Sequence, residues 1–278
     1  MFTNIVSHRA VALLCLAVFS IAAFAQGADK PFVPRAGMPG RDVARLPAEP
    51  VMVNKMLELA KAGPGDVVVD LGSGDGRMVI SAARHGARGI GVELNPDLVK
   101  LSRSTAEKEG VAARTRFLTQ DMYDFDLNQA SVITLFLDTK INMRLRPRIL
   151  NLKPGTRVIS NTFTMEDWRH DDTIRDETKS SCILNCVAFL WVVPAKVAGT
   201  WQLPQGELKL EQRFQMLTGN MNAGGRSVPV AGRIRGDQIT IAAADTVEFT
   251  GRVAGTEMGG TIKINGVPHG WRAVRIGK

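Results

Sequence analysis

The sequence is poor in the residues that build metal centres and nucleic-acid surfaces. Its 278 residues include three cysteines, four histidines, four tryptophans and one tyrosine. His85 and His170 lie far along the chain from Cys182 and Cys186, without the spacing of metal ligands, so we expect no metal site. The basic residues form no run interleaved with aromatic residues, so we expect no dedicated nucleic-acid surface.

Patterns of three common enzyme classes are missing as well. The chain has no G-x-S-x-G elbow, the mark of one large class of hydrolases. Its glycines at 72–76 are not followed by the lysine of a phosphate-binding loop. A nicotinamide fingerprint, G-x-G-x-x-G, would need its third glycine at position 77, which is arginine. A nicotinamide site is therefore disfavoured.

The composition is that of a globular protein with two units. Apolar residues make up 45% of the chain, enough for one α/β core and a smaller second core. The formal net charge is +8 and the sequence pI is about 9.7, which favours encounter with acidic surfaces such as anionic lipid or nucleic acid. Because the basic residues are scattered, a solvated basic surface is the simpler interpretation.

What the chain does have is a glycine turn directly after an apolar run. Residues 67–69 are all valine, and residues 70–77 read DLGSGDGR. Glycines can adopt positive φ and let the backbone approach a ligand, and the helix that follows presents unpaired N–H groups. The pattern predicts a site for an adenosine-containing cofactor, formed by Asp70, Gly72, Ser73, Gly74 and Gly76.

Two further acidic positions follow the next two predicted strands. Residues 89–94 read GIGVEL, and Glu93 is placed to accept hydrogen bonds from two ribose hydroxyls. A third strand at 115–119 leads to Asp121 and Met122, where a carboxylate can accept an adenine amino proton and a thioether can pack on the ring. Acidic residues at strand ends also serve as helix caps, so each position alone carries little weight. In register with the glycine turn, they predict one cofactor site.

These motifs resemble those of the class I S-adenosylmethionine-dependent methyltransferases. The resemblance rests on DLGSGDGR at 70–77, VELNP at 92–96 and Asp121, and covers about residues 47–168. Within that superfamily, the stretch 136–147 is similar to the group of the ATP synthase c-subunit lysine methyltransferases and their bacterial relatives. The resemblance implies S-adenosyl-L-methionine as cofactor. It also implies a protein or small-molecule methyl acceptor, with a membrane-associated protein lysine as one candidate.

Two parts of the chain depart from that group or extend beyond it. Relatives tend to carry Pro-Thr-Pro before the first helix, whereas this chain has Pro-Ala-Glu-Pro at 47–50, so we expect a different entrance to the cofactor pocket. The tail, with GTWQL at 199–203 and GWRAVR at 270–275, looks like the additional domain of a bacterial subgroup.

The candidate catalytic groups follow from the fourth predicted strand. A lysine acceptor has an unperturbed pKa of about 10.4 and must arrive neutral, so a carboxylate that receives its proton would help. Asp138 follows the strand 132–137 and is the candidate base; the alternative is that it caps a helix over 139–149. Trp168 is the candidate wall of an acceptor channel, whereas Phe136 and Phe163 are more readily explained as core residues.

The N-terminal 25 residues form a separate segment. His8 and Arg9 precede an apolar stretch, 10–25, which ends in Ala-Phe-Ala before Gln26, a pattern typical of a secretory signal peptide. The stretch is short for a membrane-spanning helix, which needs about 20 residues. We therefore expect an exported, periplasmic protein. Basic residues at 30, 35, 41 and 45 favour the alternative, an inner-membrane anchor with the enzyme facing the cytoplasm.

Export raises two further questions. It would place Cys182 and Cys186 in an oxidising compartment, where they can pair across a tight turn. On one straight strand they would lie about 13 Å apart, too far for a disulfide. Export would also separate the enzyme from S-adenosyl-L-methionine, which is made in the cytoplasm.

The order of the predicted elements indicates two domains. Strands alternate with helices over 51–195, which predicts a Rossmann-like, mainly parallel sheet with helices on both faces. A proline-rich arm at 26–50 precedes this domain. Residues 196–278 are rich in glycine and alternate polar and apolar residues, which predicts a small antiparallel β-meander or barrel. Within it, GRIRG at 232–236 recurs as GRVAG at 251–255, which indicates two similar hairpins.

Two functions from different classes fit these observations. The first is an S-adenosylmethionine-dependent methyltransferase that acts on a protein lysine. The alternative is an exported, non-catalytic binding protein whose β domain carries the function. The intact glycine turn, Glu93 and Asp121 count against the alternative, whereas cleavage of the signal peptide would count for it.

Overall fold

The computed structural model describes residues 33, 47–178, 184, 186–243 and 247–277. The predicted signal peptide or anchor at 1–25 and most of the predicted arm at 26–50 lie outside these residues, as does Cys182. Every helix and strand given below belongs to one unit, Pro34–Lys278.

The first domain is built on a seven-stranded sheet. Its strands are β1 (Val67–Leu71), β2 (Arg88–Glu93), β3 (Thr115–Thr119), β4 (Val132–Leu135), β5 (Arg157–Asn161), β6 (Asp172–Arg175) and β7 (Val187–Val192). They lie in the order β3-β2-β1-β4-β5-β7-β6. The first five strands pair in parallel, and β7 runs antiparallel to both β5 and β6. The predicted Rossmann-like, mainly parallel sheet is confirmed.

The described part of the chain contains four α-helices: α1 (Pro50–Leu59), α2 (Arg77–Arg84), α3 (Pro96–Lys108) and α4 (Thr139–Ile149). Local signals in the sequence start two of them. The Asn95 side chain accepts hydrogen bonds from the first-turn amides of α3, with Pro96 as the first helical residue. Pro50 begins α1, so this helix takes in the last residue of the predicted arm. None of the described helices has the length and apolar character needed to cross a membrane.

The helices cover both faces of the sheet, as predicted. Successive residues of a strand point to opposite faces. Val69 and Ile133 belong to the core cluster that includes Leu145 of α4. Their neighbours Val68 and Val132 belong to the cluster that includes all the buried residues of α1. The run of valines at 67–69 is thus a strand buried on both faces.

The second domain is a closed eight-stranded antiparallel barrel. Its strands are β8 (Gly199–Leu203), β9 (Gly206–Arg213), β10 (Met216–Ala223), β11 (Arg226–Arg235), β12 (Gln238–Ala243), β13 (Val247–Ala254), β14 (Glu257–Ile264) and β15 (Val267–Gly277). Each strand pairs with the next along the chain, and β15 pairs with β8 to close the barrel. Trp201, Ile241 and Phe249 are among the side chains that fill the interior. The predicted antiparallel β-meander or barrel is confirmed, and it is a closed barrel with a packed interior.

The two repeated motifs occupy equivalent places in this barrel. GRIRG covers the end of β11 and the turn at Gly236 that leads into β12. In the same way, GRVAG covers the end of β13 and the turn at Gly255 that leads into β14. Both turn glycines have positive φ, 61° and 62°. The prediction of two similar hairpins is confirmed.

The barrel packs directly against the sheet domain. The Phe214 ring stacks on Trp168 with centroids 5.9 Å apart and an interplanar angle of 19°. Arg233 of β11 forms an ion pair of 2.5 Å with Asp171, whose side chain is fully buried. The two domains therefore meet at a packed junction, where the β9–β10 turn and strand β11 of the barrel contact the segment between β5 and β6.

Candidate functional site

The glycine turn lies at the carboxyl edge of the parallel strands, between β1 and α2. Gly72, Gly74 and Gly76 have φ of 74°, 55° and 79°, in the left-handed region that favours glycine. The amides of Gly72 and Ser73 donate to the carbonyl of Val92 at 2.9 and 3.0 Å, which ties the turn to β2. The turn thus crosses the ends of two neighbouring strands.

Gly76 has no room for a side chain. A Cβ atom there would lie 2.7 Å from Phe117 Cε1 and 2.7 Å from Ser102 Cβ. Both neighbours are buried, in β3 and α3 respectively. Ser102 Oγ also donates to the carbonyl of Gly74 at 3.2 Å. Position 76 therefore requires glycine both for its φ and for space.

Glu93, at the end of β2, holds the glycine turn by hydrogen bonds. Its Oε2 accepts from the amide of Gly74 at 2.9 Å, and its Oε1 accepts from the amide of Asn95 at 2.9 Å. Each carboxylate oxygen keeps a second lone pair, so the same group can accept from two ligand hydroxyls. The hydrogen bonds that Glu93 accepts from these two amides were not predicted from the sequence. The role as ribose ligand stays a prediction.

Asp70 is a buried carboxyl group at the end of β1. Its exposed fraction is 9%, and Thr134 Oγ1 donates to its Oδ1 at 2.6 Å. Burial raises the pKa of Asp70 from 3.8 to about 7; the hydrogen bond from Thr134 opposes this change, and the charges of Glu93 and Asp75 add to it. A cationic ligand at this edge would favour the charged form of Asp70.

The loop after β3 carries Asp121 and Met122 to the same edge. The amide of Gln120 donates to the carbonyl of Glu93 at 3.0 Å, which continues the β2–β3 pairing to the end of both strands. Asp121 Oδ1 accepts from the amide of Tyr123 at 2.9 Å, and Met122 is half-buried against the sheet core. Their contact with an adenine ring stays a prediction.

Two arginines of α4, neither of them identified from the sequence, hold this loop. Arg148 Nη1 donates to the carbonyl of Tyr123 at 2.6 Å. The guanidinium of Arg144 lies 3.7 Å from the centroid of the Tyr123 ring. The sequence shows that the two arginines are four residues apart and therefore share one face of a helix. It does not show that they contact Tyr123, which lies more than twenty positions away.

The loops after β4 and β5 meet beside the glycine turn. Leu137 Cδ2 lies 3.2 Å from the position of a Cβ at Gly72, and the rings of Phe136 and Phe163 have centroids 6.1 Å apart. Both rings are half-buried rather than enclosed in the core. They can therefore contribute to the wall of an acceptor site.

Asp138 begins α4 as its N-cap. Its Oδ1 accepts a hydrogen bond from the amide of Ile141 at 2.9 Å. The alternative expected from the sequence, a helix cap, is therefore present. Because a carboxylate has two oxygens and about four lone pairs, capping leaves capacity to accept a proton. A catalytic role for Asp138 stays a prediction.

Trp168 lies in a different environment from the one predicted. It is 1% exposed and packs between Trp191 of β7 and Phe214 of the barrel. A side chain at that depth does not reach a channel that opens to solvent. The expectation for Trp168 is therefore corrected to a core role at the domain junction.

The segment 47–50, which departs from the related pattern, is tied to the glycine turn. Arg77 Nη1 donates to the carbonyl of Ala48 at 2.7 Å. The same guanidinium holds Asp75 through two bonds, Nε to Oδ1 at 2.9 Å and Nη2 to Oδ2 at 2.6 Å. The chain before α1 is thus fixed beside the turn by one arginine.

Metal ligands and cysteines add little to this site. Within the described ranges, no group of three or more His, Cys, Asp or Glu side chains could hold a metal ion. Cys186 is disulfide-bonded. The two other cysteines, Cys15 and Cys182, both lie outside the described residues.

Comparisons with known proteins agree with the geometry of the sheet domain. Residues 70–172 match the model of the ANTKMT methyltransferase domain. A protein-lysine N-methyltransferase of Saccharolobus islandicus (strain REY15A) is 35% identical over 154 residues, which cover 54% of this chain and 94% of that protein. An ATP synthase c-subunit lysine N-methyltransferase of Xenopus laevis is 35% identical over 127 residues, 45% of this chain and 56% of that protein. The chain thus spans about half the length of the Xenopus protein.

A solved structure gives the same result for the fold. An RNA methyltransferase of Salinibacter ruber in complex with S-adenosyl-L-homocysteine is 42% identical, with a TM-score of 0.51. The match covers 55% of this chain and 96% of that one. None of these three relatives covers more than 55% of this chain.

We expect Gly76→Ala to weaken the affinity for S-adenosyl-L-methionine by about tenfold or more, which corresponds to ~1.4 kcal/mol. The new Cβ would displace Phe117 and Ser102 and so distort the turn. Isothermal titration calorimetry on wild type and variant measures the change.

Gly110→Ala is the matched control. Gly110 has a similar φ of 70°, but a Cβ there would meet nothing within 4 Å. Both variants therefore carry the cost of a left-handed alanine, and only the first carries the clash. Equal losses of affinity in the two variants would show that the enclosure of Gly76 is irrelevant.

We expect Asp70→Asn to stabilise the ligand-free protein at high pH. Because the pKa of Asp70 is about 7 in the folded protein and 3.8 in the reference state, the folded state binds the extra proton between these values. The free energy of unfolding therefore falls as pH rises through this range. Asparagine does not ionise and keeps an acceptor for Thr134, so its gain at pH 8 is roughly 2–4 kcal/mol and nearly absent at pH 4.

Urea unfolding at the two pH values measures this gain. Asp172→Asn is the control, because Asp172 is exposed and its bond from the amide of Thr173 survives in asparagine. The control should change stability little at either pH. A gain for Asp70→Asn that is the same at pH 4 and pH 8 would contradict the buried charge as its cause.

Proposed function

Because the chain belongs to the family of the protein-lysine N-methyltransferases, we propose that it transfers the methyl group of S-adenosyl-L-methionine to the ε-amino group of a lysine in a protein. The observation that carries this proposal is the match to nearly the whole length of a protein-lysine N-methyltransferase. An enzyme of this family uses S-adenosyl-L-methionine as its methyl donor, which supplies an electrophilic methyl group on a sulfonium centre.

The residues at the carboxyl edge fit this cofactor. The enclosed Gly76 lets the turn pass where any side chain would obstruct it. The remaining lone pairs of Glu93 suit the ribose hydroxyls, and Asp121 with Met122 suits the adenine ring. Asp70 is a buried carboxyl group beside two further carboxylates, an arrangement that a cationic ligand would relieve.

The chain's own residues then have two tasks at the acceptor. The half-buried rings of Phe136 and Phe163 offer aromatic faces to a cationic or methylated amine. Asp138, at the start of α4, is the group we assign to receive the proton of the lysine ammonium. In-line displacement needs little else from the protein, because alignment of the amine with the leaving group supplies much of the rate.

We further propose that the acceptor is a membrane-associated protein. The relative from Xenopus is named for the c-subunit of ATP synthase, and the apolar stretch 10–25 would bring this chain to a membrane. The family assignment and the intact cradle do not favour the alternative of a non-catalytic exported binding protein. The barrel has no assigned part in the chemistry.

Export or anchoring through residues 1–25 remains a proposal of its own. The disulfide at Cys186 supports export, because disulfides persist in oxidising compartments. The need for S-adenosyl-L-methionine supports an anchor that leaves the enzyme in the cytoplasm. N-terminal sequencing of the mature protein distinguishes the two, since a cleaved chain would begin near Gln26.

The lysine-methylation proposal is tested with S-adenosyl-L-methionine carrying a tritiated methyl group. The full chain is incubated with membrane, soluble-protein and RNA fractions of cells that lack its gene, and labelled protein is hydrolysed for amino-acid analysis. We expect label in Nε-methyllysine, mainly in the membrane fraction, and at least about tenfold less with Glu93→Gln. Label in RNA or in another amino acid would contradict lysine specificity, and label confined to soluble proteins would contradict a membrane acceptor.

Asp138→Asn separates the two roles of Asp138. Asparagine is as good an N-cap as aspartate, so α4 should keep its stability. It does not accept a proton, so we expect methyl transfer to slow by roughly 10²- to 10⁴-fold while the dissociation constant for S-adenosyl-L-methionine stays unchanged. Asp138→Ala, which loses both functions, should also lower the melting temperature. Full activity of Asp138→Asn would leave the residue as a helix cap alone.

A further inference from the structure

The short segment after β5, residues 162–166, has an unusual backbone. Thr162 has a φ of 66° and Glu166 a φ of 51°, both in the left-handed region. For a β-branched residue such as threonine this conformation is an outlier that surrounding contacts must maintain. The amide of Thr162 donates to the carbonyl of Val187 in β7 at 2.8 Å, and α4 supplies contacts to the residues that follow.

Two side chains of α4 bind the carbonyl groups of the intervening residues, 163–165. Asn142 Nδ2 donates to the carbonyl oxygens of residues 163 and 164 at 3.4 and 3.3 Å. One helical turn later, Arg146 Nη1 donates to the carbonyl of residue 165 at 3.1 Å. Residues four apart lie on one face of a helix, so α4 offers a row of donors to three consecutive carbonyls.

Asn142 is committed to the donor role. Its side chain is fully buried, and its Oδ1 finds no hydrogen-bond partner among the described residues. Nδ2 also lies 3.2 Å from Ser160 Oγ, a hydroxyl that can pair with either orientation of the amide. The carbonyls of residues 163 and 164 accept only, so rotating the amide by 180° would turn Oδ1 toward them and replace attraction by repulsion. A buried oxygen without a hydrogen bond is unfavourable. An apolar residue at position 142 would therefore give a more stable core, unless the hydrogen bonds that Asn142 donates have a role.

The barrel reaches the same segment through Arg146. The Arg146 guanidinium lies 5.2 Å from the centroid of the Phe214 ring, and that ring also stacks on Trp168. Asp167 accepts from Arg146 at 2.5 Å and from the barrel residue Arg213 at 3.2 Å. These two hydrogen bonds, the one from Arg146 foremost, lower the pKa of Asp167.

The clamped segment leads directly to the edge where an acceptor must approach. Its residue Phe163 pairs with Phe136 of the loop after β4. Asp138 lies one helical turn before Asn142 on α4. A shift of the segment would therefore move one wall of the acceptor site and leave the glycine turn in place.

We propose that Asn142 and Arg146 are positioning residues for the methyl acceptor: they hold residues 163–165, which lie between the left-handed residues Thr162 and Glu166, and Phe214 of the barrel fixes Arg146 in that task. This inference rests on the proposed function. It gives the barrel a part in the reaction, through acceptor placement rather than cofactor binding.

Steady-state kinetics of Asn142→Leu and Phe214→Leu test the proposal. The acceptor is the cell fraction that takes up the tritiated methyl group in the experiment described above. Leucine is close to asparagine in size and removes its donors. We expect the KM for acceptor to rise or kcat to fall so that kcat/KM drops by about 10- to 100-fold, with the KM for S-adenosyl-L-methionine unchanged. Two matched controls, Ile149→Val in the core side of α4 and Phe249→Leu inside the barrel, should lower stability without this selective effect.

Hydrogen exchange gives a second readout that needs no acceptor. The amides of residues 162–167 should exchange faster in Asn142→Leu and Phe214→Leu than in wild type, and no faster in the two controls. Unchanged exchange there overturns the clamp whether or not an acceptor is found. Equal losses for acceptor and cofactor, or equal effects in the controls, overturn acceptor positioning. Absence of methyl transfer by wild type, with the exchange result as expected, would instead reject the proposed function.

Discussion

Glu93 is the residue on which the geometry of the whole edge depends. One oxygen of its carboxylate holds the amide of Gly74 in the glycine turn, and the other holds the amide of Asn95 at the start of α3. The turn is therefore fixed to the strand next to its own, and α3 begins at a set place beside it. Because Ser102 of α3 bonds back to the carbonyl of Gly74, the helix in turn closes the space around Gly76. One carboxylate thus couples two βα connections, and the shape of the cradle follows from it.

The same edge concentrates negative charge in a chain whose formal net charge is +8. Arg77 neutralises Asp75, whereas Asp70 is buried with its pKa raised to about 7. Such a site favours a positively charged ligand, since a bound cation would stabilise the charged form of Asp70. The sulfonium and ammonium groups of S-adenosyl-L-methionine would both supply such a positive charge.

The parts of this site that could be predicted from the sequence are the local ones. The turn glycines, Glu93 after its strand, the Asn95 cap and the cap at Asp138 each depend on contacts within a few residues or on the regular order of strands. Trp168 shows the opposite case: its neighbours in the sequence are polar, and distant residues, Trp191 of β7 and Phe214 of the second domain, make it a core residue. Asn142 and Arg146 were missed for the same reason, because their partners lie about twenty positions away and present only backbone carbonyls, which carry no sequence signal. Likewise, the alternation of β residues predicts a barrel but not the place where it packs.

The position at which the barrel packs against the sheet domain indicates what the barrel contributes to function. The family model ends at residue 172, so the barrel lies beyond the part of the chain that defines the methyltransferase. A domain that served only as a separate binding module would be expected to connect through few contacts. Here Arg233 binds a carboxylate whose side chain is fully buried, and Phe214 packs against the core of the sheet domain beside Trp168. In our proposal, residues of the barrel thereby take part in the packing that holds the acceptor edge, whereas the hydrogen bonds described for the glycine turn come from the sheet domain. Such a domain would then change the environment of the acceptor and leave the cofactor cradle as it is.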